Sequence, residues 1–357
     1  MNKKKFAQKI AEWYQENKRQ LPWRETADPY RIWLSEIILQ QTRVAQGLPY
    51  YLRFIKRFPD VATLARSREQ DILRLWQGLG YYTRARNLHR CAKAIVSQNQ
   101  GKFPDNFIDL QKLPGIGVYT AAAIASLAFH EAVAVVDGNV YRVLARIFGE
   151  DQDIASAEGR DYFFSKAQSL VPAGFPGIFN QAMMEFGAIH CLPKNPKCAD
   201  CIFKRHCVAF ARDWQDRLPV KTKKLKVRRR YFYYFVMEQN KKWGMQKREG
   251  KDIWHGLYDF YLVETPRPRK PERLVKENEV LKSLKGEIQF DKVSTLFKHN
   301  LSHQKLLARF IPVTIRSTEL KKASFKFEKL RFYSAREINK LPKPALVTRY
   351  LKESLFL

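Results

Sequence analysis

"LPGIGVYTAAAIASLAF", residues 113–129, places two glycines between a helical pattern on either side. Upstream, "DNFIDLQK" (105–112) spaces its apolar residues at helical intervals, and downstream an alanine-rich run continues the helix. Gly115 and Gly117 allow a tight turn between the two and leave backbone N–H groups free where the second helix starts. The spacing therefore predicts a helix-hairpin-helix. Free N–H groups at a helix N-terminus make an anion site. On a chain as basic as this one, the anion it suits is a phosphodiester, gripped through its backbone with no reading of bases.

The charge supports that partner class. Lys and Arg number 65 against 35 Asp and Glu, a formal net charge of +30 over 357 residues. A field of that sign and size attracts polyanions, nucleic acid first among them. No long amphipathic helix with a clean basic face points to a membrane surface instead. The basic opening "MNKKKFAQKIAEWYQENK" breaks its apolar run at Gln8, Lys9 and Glu12, so it reads as an amphipathic helix and not a leader. No stretch is long and apolar enough to span a bilayer. An intracellular protein is the expectation.

Outward from the hairpin, the first part is dense in helical patterns: "IWLSEIILQQT", "VYRVLARIFG" and "FNQAMMEFGAIH". Residues 1–212 are expected to form an all-α domain. A basic, patternless linker follows over 213–230, most clearly in "LPVKTKKLKVRRR" (218–230). Residues 231–357 then alternate strand-like runs ("RYFYYFVMEQ", "YDFYLVE", "RFIPVTIRS") with helical ones, giving a second, α+β domain of ordinary size.

Three groups of residues carry chemistry. In "WLSEIILQQT" (33–42), Glu36 has Ile32, Trp33, Leu39 and Gln40 as helical neighbours, three of them apolar. Desolvation on such a face raises a carboxyl pKa and keeps it available as an acid near neutral pH. An edge glutamate or half a salt bridge has the same local signature. In "VVDGNVYRVLARIFG" (135–149), Asp137 ends an apolar run just where a helix opens. It is either a plain N-cap or an ionised carboxylate facing a developing positive charge, with Asn139 as a second polar contact. Cys191, Cys198, Cys201 and Cys207 follow a six-two-five spacing in one loop (191–207), which binds zinc or an iron–sulfur cluster. Cys91 stands apart as a core residue.

Taken in order, Glu36 with "LQQT", "GLGYYTRARNLH" (78–89), "LPGIG", "DGNVYRVLAR" and the cysteine spacing resemble the helix-hairpin-helix DNA glycosylases with an iron–sulfur loop. Within them the chain resembles the MutY-type adenine DNA glycosylases, over about residues 6–210 and more loosely beyond. The resemblance implies a [4Fe–4S] cluster on the four cysteines in place of zinc. In the endonuclease III branch a lysine, the imine-forming nucleophile of a lyase, precedes the "TA" after the hairpin; here Tyr119 stands there. That implies an enzyme that cuts the N-glycosidic bond only. Glu36 would protonate adenine, and Asp137 would stabilise the oxocarbenium-like sugar or trap it covalently. The resemblance also places Trp23 and Arg24 near the adenine pocket and Tyr119 and Asn139 beside the sugar. Gln41 and Tyr81 would wedge into the gap left by the flipped base, with Thr42 and Leu79 beside the opposite base.

The C-terminal part resembles the Nudix-like recognition domain of these enzymes. "WHGLYDFYLVE" (254–264) matches its glycine-plus-aromatic stretch, but no run of glutamates follows to hold magnesium. "HNLSHQKL" (299–306) resembles the loop that senses 8-oxoguanine, with Ser302 and His303; the family's usual phenylalanine before them is Leu301 here. Leucine can wedge into a duplex but cannot stack as an aromatic. The expected partner is double-stranded DNA with adenine opposite 8-oxoguanine or guanine, bound by a monomer. A thymine-glycol or mismatch glycosylase of the same fold, or a DNA clamp without catalysis, are the rival readings. Tyr119 speaks against the first, and Glu36 with Asp137 against the second.

Overall fold

A computed structural model describes residues 1–222, 227–250, 252–282, 288–316 and 329–354. Four residues of the expected linker, 223–226, lie outside the described residues, as do the last two of "ERLVKENEVLKSL" (272–284). The chain divides into two compact units: residues 1–66 with 87–223, and residues 67–86 with 224–357. The segment 67–86, within the stretch expected to form the first domain, thus packs with the second unit.

The first unit is helical. Its principal elements are α1 (Lys3–Asn17), α2 (Pro29–Leu39), α3 (Val44–Arg57), α4 (Val61–Arg66), the larger part of α6 (Thr83–Asn99), α7 (Phe107–Leu110), α8 (Val118–Ala128), α9 (Gly138–Phe148), α10 (Ala157–Gln168) and α11 (Pro176–Ile189), while α5 (Glu69–Leu75) belongs to the second unit. α2 starts cleanly because Asp28 caps the Tyr30 N–H and Pro29 sits at its first position. α8 and α2 are buried almost throughout, as their lack of a polar face requires. One core knits α1, α9, α10 and α11 through Phe6, Trp13, Val143, Phe163, Phe179 and Phe186.

The expected hairpin is present, with a first helix of a single turn, Phe107–Leu110. Gly115 has φ +78°, and a Cβ there would lie 2.6 Å from the Cβ of Asn87. Only glycine meets both conditions without strain. Gly117 has an ordinary extended φ of −95° and open space within 4 Å of its would-be Cβ, so the start of α8 faces outward.

The second unit is a mixed sheet with helices. β1 (Arg228–Gln239) pairs in parallel with β7 (Gln304–Ile315) and antiparallel with β2 (Lys242–Lys247) and β4 (Tyr261–Thr265), while β3 (Tyr258–Asp259) pairs with β2 and β5 (Ile288–Phe290) with β7. β1 is buried on both faces over Phe232–Met237, as a central strand must be. β6 (Phe297–Asn300) and β7 form a hairpin with Asn300 opposite Lys305 and His299 opposite Leu306, so its turn is Leu301, Ser302 and His303. The helix Glu69–Leu75 and the loop after it are fastened to the C-terminal segment. Gln77 donates to Thr348 Oγ1 (3.0 Å) and accepts from the Lys343 N–H (3.2 Å), and Tyr82 donates to the Lys343 carbonyl (3.4 Å). Among the described residues no helix is long and apolar enough to cross a membrane.

Candidate active site

In the first unit a cavity of about 590 Å3 is lined by Trp23, Arg24, Glu36, Thr42, Tyr119, Asp137 and Asn139, with further residues. Two helix starts and one helix interior supply the central three. α2 carries Glu36, the second residue of α8 is Tyr119, and the N-cap of α9 is Asp137.

Glu36 is 8 % exposed, and its Oε2 accepts a 2.7 Å hydrogen bond from the Tyr119 hydroxyl. Burial pushes its pKa up to about 7; the Tyr119 bond pulls it down, the Asp137 charge raises it, and Arg24 lowers it. Burial dominates, so the group stays available as a carboxylic acid near neutral pH. Tyr119 is itself held well above the ordinary phenol range, by burial first and the facing carboxylates next, so it stays a donor.

Asp137 caps α9 twice over: Oδ1 accepts from the backbone N–H groups of Asn139 (2.9 Å) and Val140 (2.8 Å), and Oδ2 from the Asn139 amide (2.7 Å). Burial raises its pKa while these three bonds oppose the rise by favouring the anion. The sequence offered a plain cap and a reactive carboxylate as alternatives; the geometry has one group capping the helix and lining the cavity.

A third acid in the cavity was not singled out in the sequence. Glu185, on α11, has no exposed side-chain surface. Its carboxylate receives Arg24 (3.0 and 2.7 Å) and Arg19 (2.8 and 2.6 Å) side by side. Burial alone would raise it, but the two guanidinium groups overturn that and hold it at about 2. One cavity thus contains a carboxyl poised near 7 and one fixed as an anion, the separation that lets two acids take different roles. "AMMEFGA" carries the same signal as "WLSEIIL", a carboxylate in an apolar helix, and the same argument would have found it.

Other expected residues are placed as follows. Trp23 is buried edge-on against Tyr51, with ring centroids 5.0 Å apart. Gln41 is exposed with φ +54°, outside the cavity wall, and Thr42 lines it. The amide of Gln40, next along, bonds Thr120 Oγ1 (3.3 Å) and so ties α2 to α8.

In the second unit Leu79, Tyr81, Leu301, Ser302 and His303 come together around a separate cavity of about 460 Å3. Tyr81 has φ +47° and donates to Ser302 Oγ (2.8 Å), which lies 3.1 Å from His303 Nδ1. Arg84, 9 % exposed, sits 5.1 Å from the Trp76 ring and 5.7 Å from the Tyr81 ring. It also donates to the Leu79 and Gly80 carbonyls (3.4 and 3.3 Å), closing the loop beneath Tyr81. Leu79 itself is 6 % exposed.

The four cysteines of the 191–207 loop are half-buried free thiols, and Cys91 is a buried core thiol. No three ligand side chains among the described residues are set to hold one metal ion. The thiols nevertheless share one electrostatic environment: burial and then Cys191, Cys207 and Cys198 push Cys201 to about 11. Four thiols in one loop make an all-sulfur donor set of the kind that an iron–sulfur cluster takes. The loop is anchored by Arg146, which donates to Leu218 O (3.1 Å), Leu192 O (2.6 Å) and Pro193 O (3.1 Å) and touches Cys191 Sγ (3.5 Å). Arg142, one turn earlier on α9, joins Asn139 Oδ1 (3.0 Å) to Cys191 O (2.8 Å).

A helical unit with a glycine hairpin, a buried acid and a capping aspartate on one cavity defines the class. Residues 34–167 match the HhH-GPD superfamily of base excision DNA repair proteins, and residues 233–353 match the NUDIX domain family. A solved thermostable thymine-DNA glycosylase is 30% identical, with a TM-score of 0.54 over 59% of this chain and 97% of that one. A trapped endonuclease III–DNA covalent intermediate (21%, TM-score 0.51, 60% and 99%) has the same fold. Within this class the chain belongs to the adenine DNA glycosylases, enzymes that hydrolyse N-glycosidic bonds. The adenine DNA glycosylase of Buchnera aphidicola from Schizaphis graminum is 37% identical over 314 residues, 87% of each chain. The human adenine DNA glycosylase is 41% identical over 222 residues, 60% of this chain and 41% of that one. Members of this endonuclease III-like family typically carry an iron–sulfur cluster.

Proposed function

We propose that this chain removes adenine paired with 8-oxoguanine or guanine, by hydrolysis alone, leaving an intact abasic strand. The observation that carries the proposal is Glu36: a buried carboxylic acid near pKa 7 that shares its cavity with Asp137. An adenine flipped into the cavity meets Arg24 and Glu185, a fixed donor beside a fixed acceptor, which suits the alternating edge of a purine carrying an amine. Glu36 gives its proton to N7, and the glycosidic bond breaks with its electron pair passing to the base. Tyr119 is already donating to Oε2 and stabilises the carboxylate so formed. The positive charge left on the sugar falls to Asp137, whose orientation the α9 N-terminus and Asn139 fix in advance. Water completes the hydrolysis. A phenol at position 119 cannot form an imine, so no strand cleavage accompanies excision.

The opposite base is assigned to the second unit, with the Leu301–Ser302–His303 turn and Tyr81 as its readers. What supports this is that hydroxyl, imidazole and phenol converge at one cavity. A [4Fe–4S] cluster on Cys191, Cys198, Cys201 and Cys207 would act structurally, holding a loop that places basic Lys194, Lys197, Lys204 and Arg205 toward DNA. The active species is assigned as a monomer.

The test is single-turnover cleavage of duplexes with adenine opposite 8-oxoguanine, guanine or thymine, developed with and without alkali. Breaks that need alkali, form fastest opposite 8-oxoguanine and vanish in Glu36→Gln are the expected result. Breaks without alkali, or equal rates opposite all three bases, overturn it.

A further inference from the structure

The cavity at the Ser302 turn has a neighbour. A second hollow of the same unit, about 750 Å3, is lined by Arg86, Arg228, Arg230, Asp252, Gln304 and others, and shares Thr83 and Ile253 with the first. Arg228 opens β1 directly beside the turn: its N–H donates to the His303 carbonyl (3.0 Å), and it stands opposite Gln304 in the ladder. Arg228 and Arg230, two apart on a strand, present their side chains on one face.

The carboxylates here already have cations. Glu249 pairs with Lys329 (2.6 Å), and Glu264 with Arg230 (2.6 Å). Asp252 contacts both Arg248 and Arg230. Arg86 donates to His255 O (2.7 Å) and Thr83 Oγ1 (2.9 Å). The exposed Arg228 guanidinium also acts on Glu264, but Arg230 already pairs that acid, so Arg228 adds positive charge beyond what these acids balance.

We infer that this hollow is a phosphodiester subsite, with Arg228 as its principal cation, for the nucleotide whose base lies at the Ser302 turn. A nucleotide carries a phosphate on each side, so any base lodged at Leu301–His303 brings one toward the adjoining hollow. Arg228 positions that strand, and Ser302 and Tyr81 read the base. The inference rests on the assignment of the turn to the opposite base.

The experiment is a salt titration of duplex affinity, using a non-cleavable adenine analogue opposite 8-oxoguanine or guanine. It compares wild type, Arg228→Gln, Arg228→Lys and Ser302→Ala. One lost phosphate contact should reduce the slope of log K against log salt by about 0.9, for both opposite bases alike. Arg228→Lys should keep the wild-type slope, because a point charge suffices. Ser302→Ala should keep the slope and change only the ratio of the two affinities. An unchanged slope in Arg228→Gln overturns the subsite, as does a loss confined to one opposite base. An unchanged ratio in Ser302→Ala beside a reduced slope in Arg228→Gln overturns the turn's assignment and leaves the phosphate contact standing.

Discussion

Tyr119→Phe should move the pH dependence of excision toward alkali. The Tyr119 hydroxyl donates to Glu36 at 2.7 Å and favours its ionised form, against the burial that favours the acid. Phenylalanine keeps the burial and removes the donor. A hydrogen bond to a charged group contributes about 1.5–3 kcal/mol, and one pKa unit corresponds to about 1.4 kcal/mol. The Glu36 pKa, about 7 in the native protein, should therefore rise by roughly one to two units. With Glu36 as the proposed acid, its protonated form is the active one, so wild-type single-turnover rates should fall about tenfold per pH unit above the native pKa. In the variant the falling limb should begin one to two units higher, whatever happens to the plateau. The assay is adenine release with enzyme in excess, between pH 5.5 and 9.5. Asp137→Asn removes a charge that raises the Glu36 pKa, so its residual activity should shift the limb the opposite way. A limb that stays put in Tyr119→Phe, or moves toward acid, refutes Glu36 as the acid.

Burial of Glu36 also costs stability, with a definite sign. Its folded pKa of about 7 lies above the 4.5 of an exposed glutamate, so stability is complete below pH 4.5 and is lost as pH rises to 7. Glu36→Gln should therefore be more stable than wild type at pH 8, by up to about 3 kcal/mol, and no more stable at pH 4, as denaturant unfolding would measure. Gly115→Ala must place a side chain at φ +78° and against Asn87, so it should destabilise by about 1–2 kcal/mol and weaken binding to undamaged duplex. Gly117→Ala, extended and uncrowded, should leave the melting temperature nearly unchanged. Chemical analysis of the purified protein should find iron and inorganic sulfide in equal amounts, four of each per chain; one zinc and no sulfide would rule out the cluster.

The site was partly legible because burial of a charge leaves a local trace. Glu36 betrays itself among Ile32, Trp33 and Leu39, and the hairpin glycines announce their turn. The fate of a buried acid is another matter. Glu36 and Glu185 have the same kind of sequence surroundings, yet one is pushed up to about 7 and the other down to about 2. The difference is Arg19 and Arg24, more than 160 residues away from Glu185 along the chain. No periodicity carries that information. The strands of the C-terminal part were legible from their β-branched and aromatic runs. The pairing of β1 with β7 was not, since a parallel neighbour leaves no turn between the two to read.

The fastening of residues 67–86 has a consequence for how the protein is made. Gln77 emerges early in synthesis, but its partners Lys343 and Thr348 come some 266 and 271 residues later. At about 5–20 residues per second that gap lasts roughly 13–54 s, during which the helices on either side of the segment can already condense. The loop bearing Tyr81 must wait, with Leu73 and Tyr82 still uncovered by the C-terminal segments they pack against. A nascent chain stalled between residue 223, where the helical unit ends, and residue 343 would hold a complete helical unit and an unfinished Tyr81 loop, making it a natural client for a chaperone that binds exposed aromatic segments.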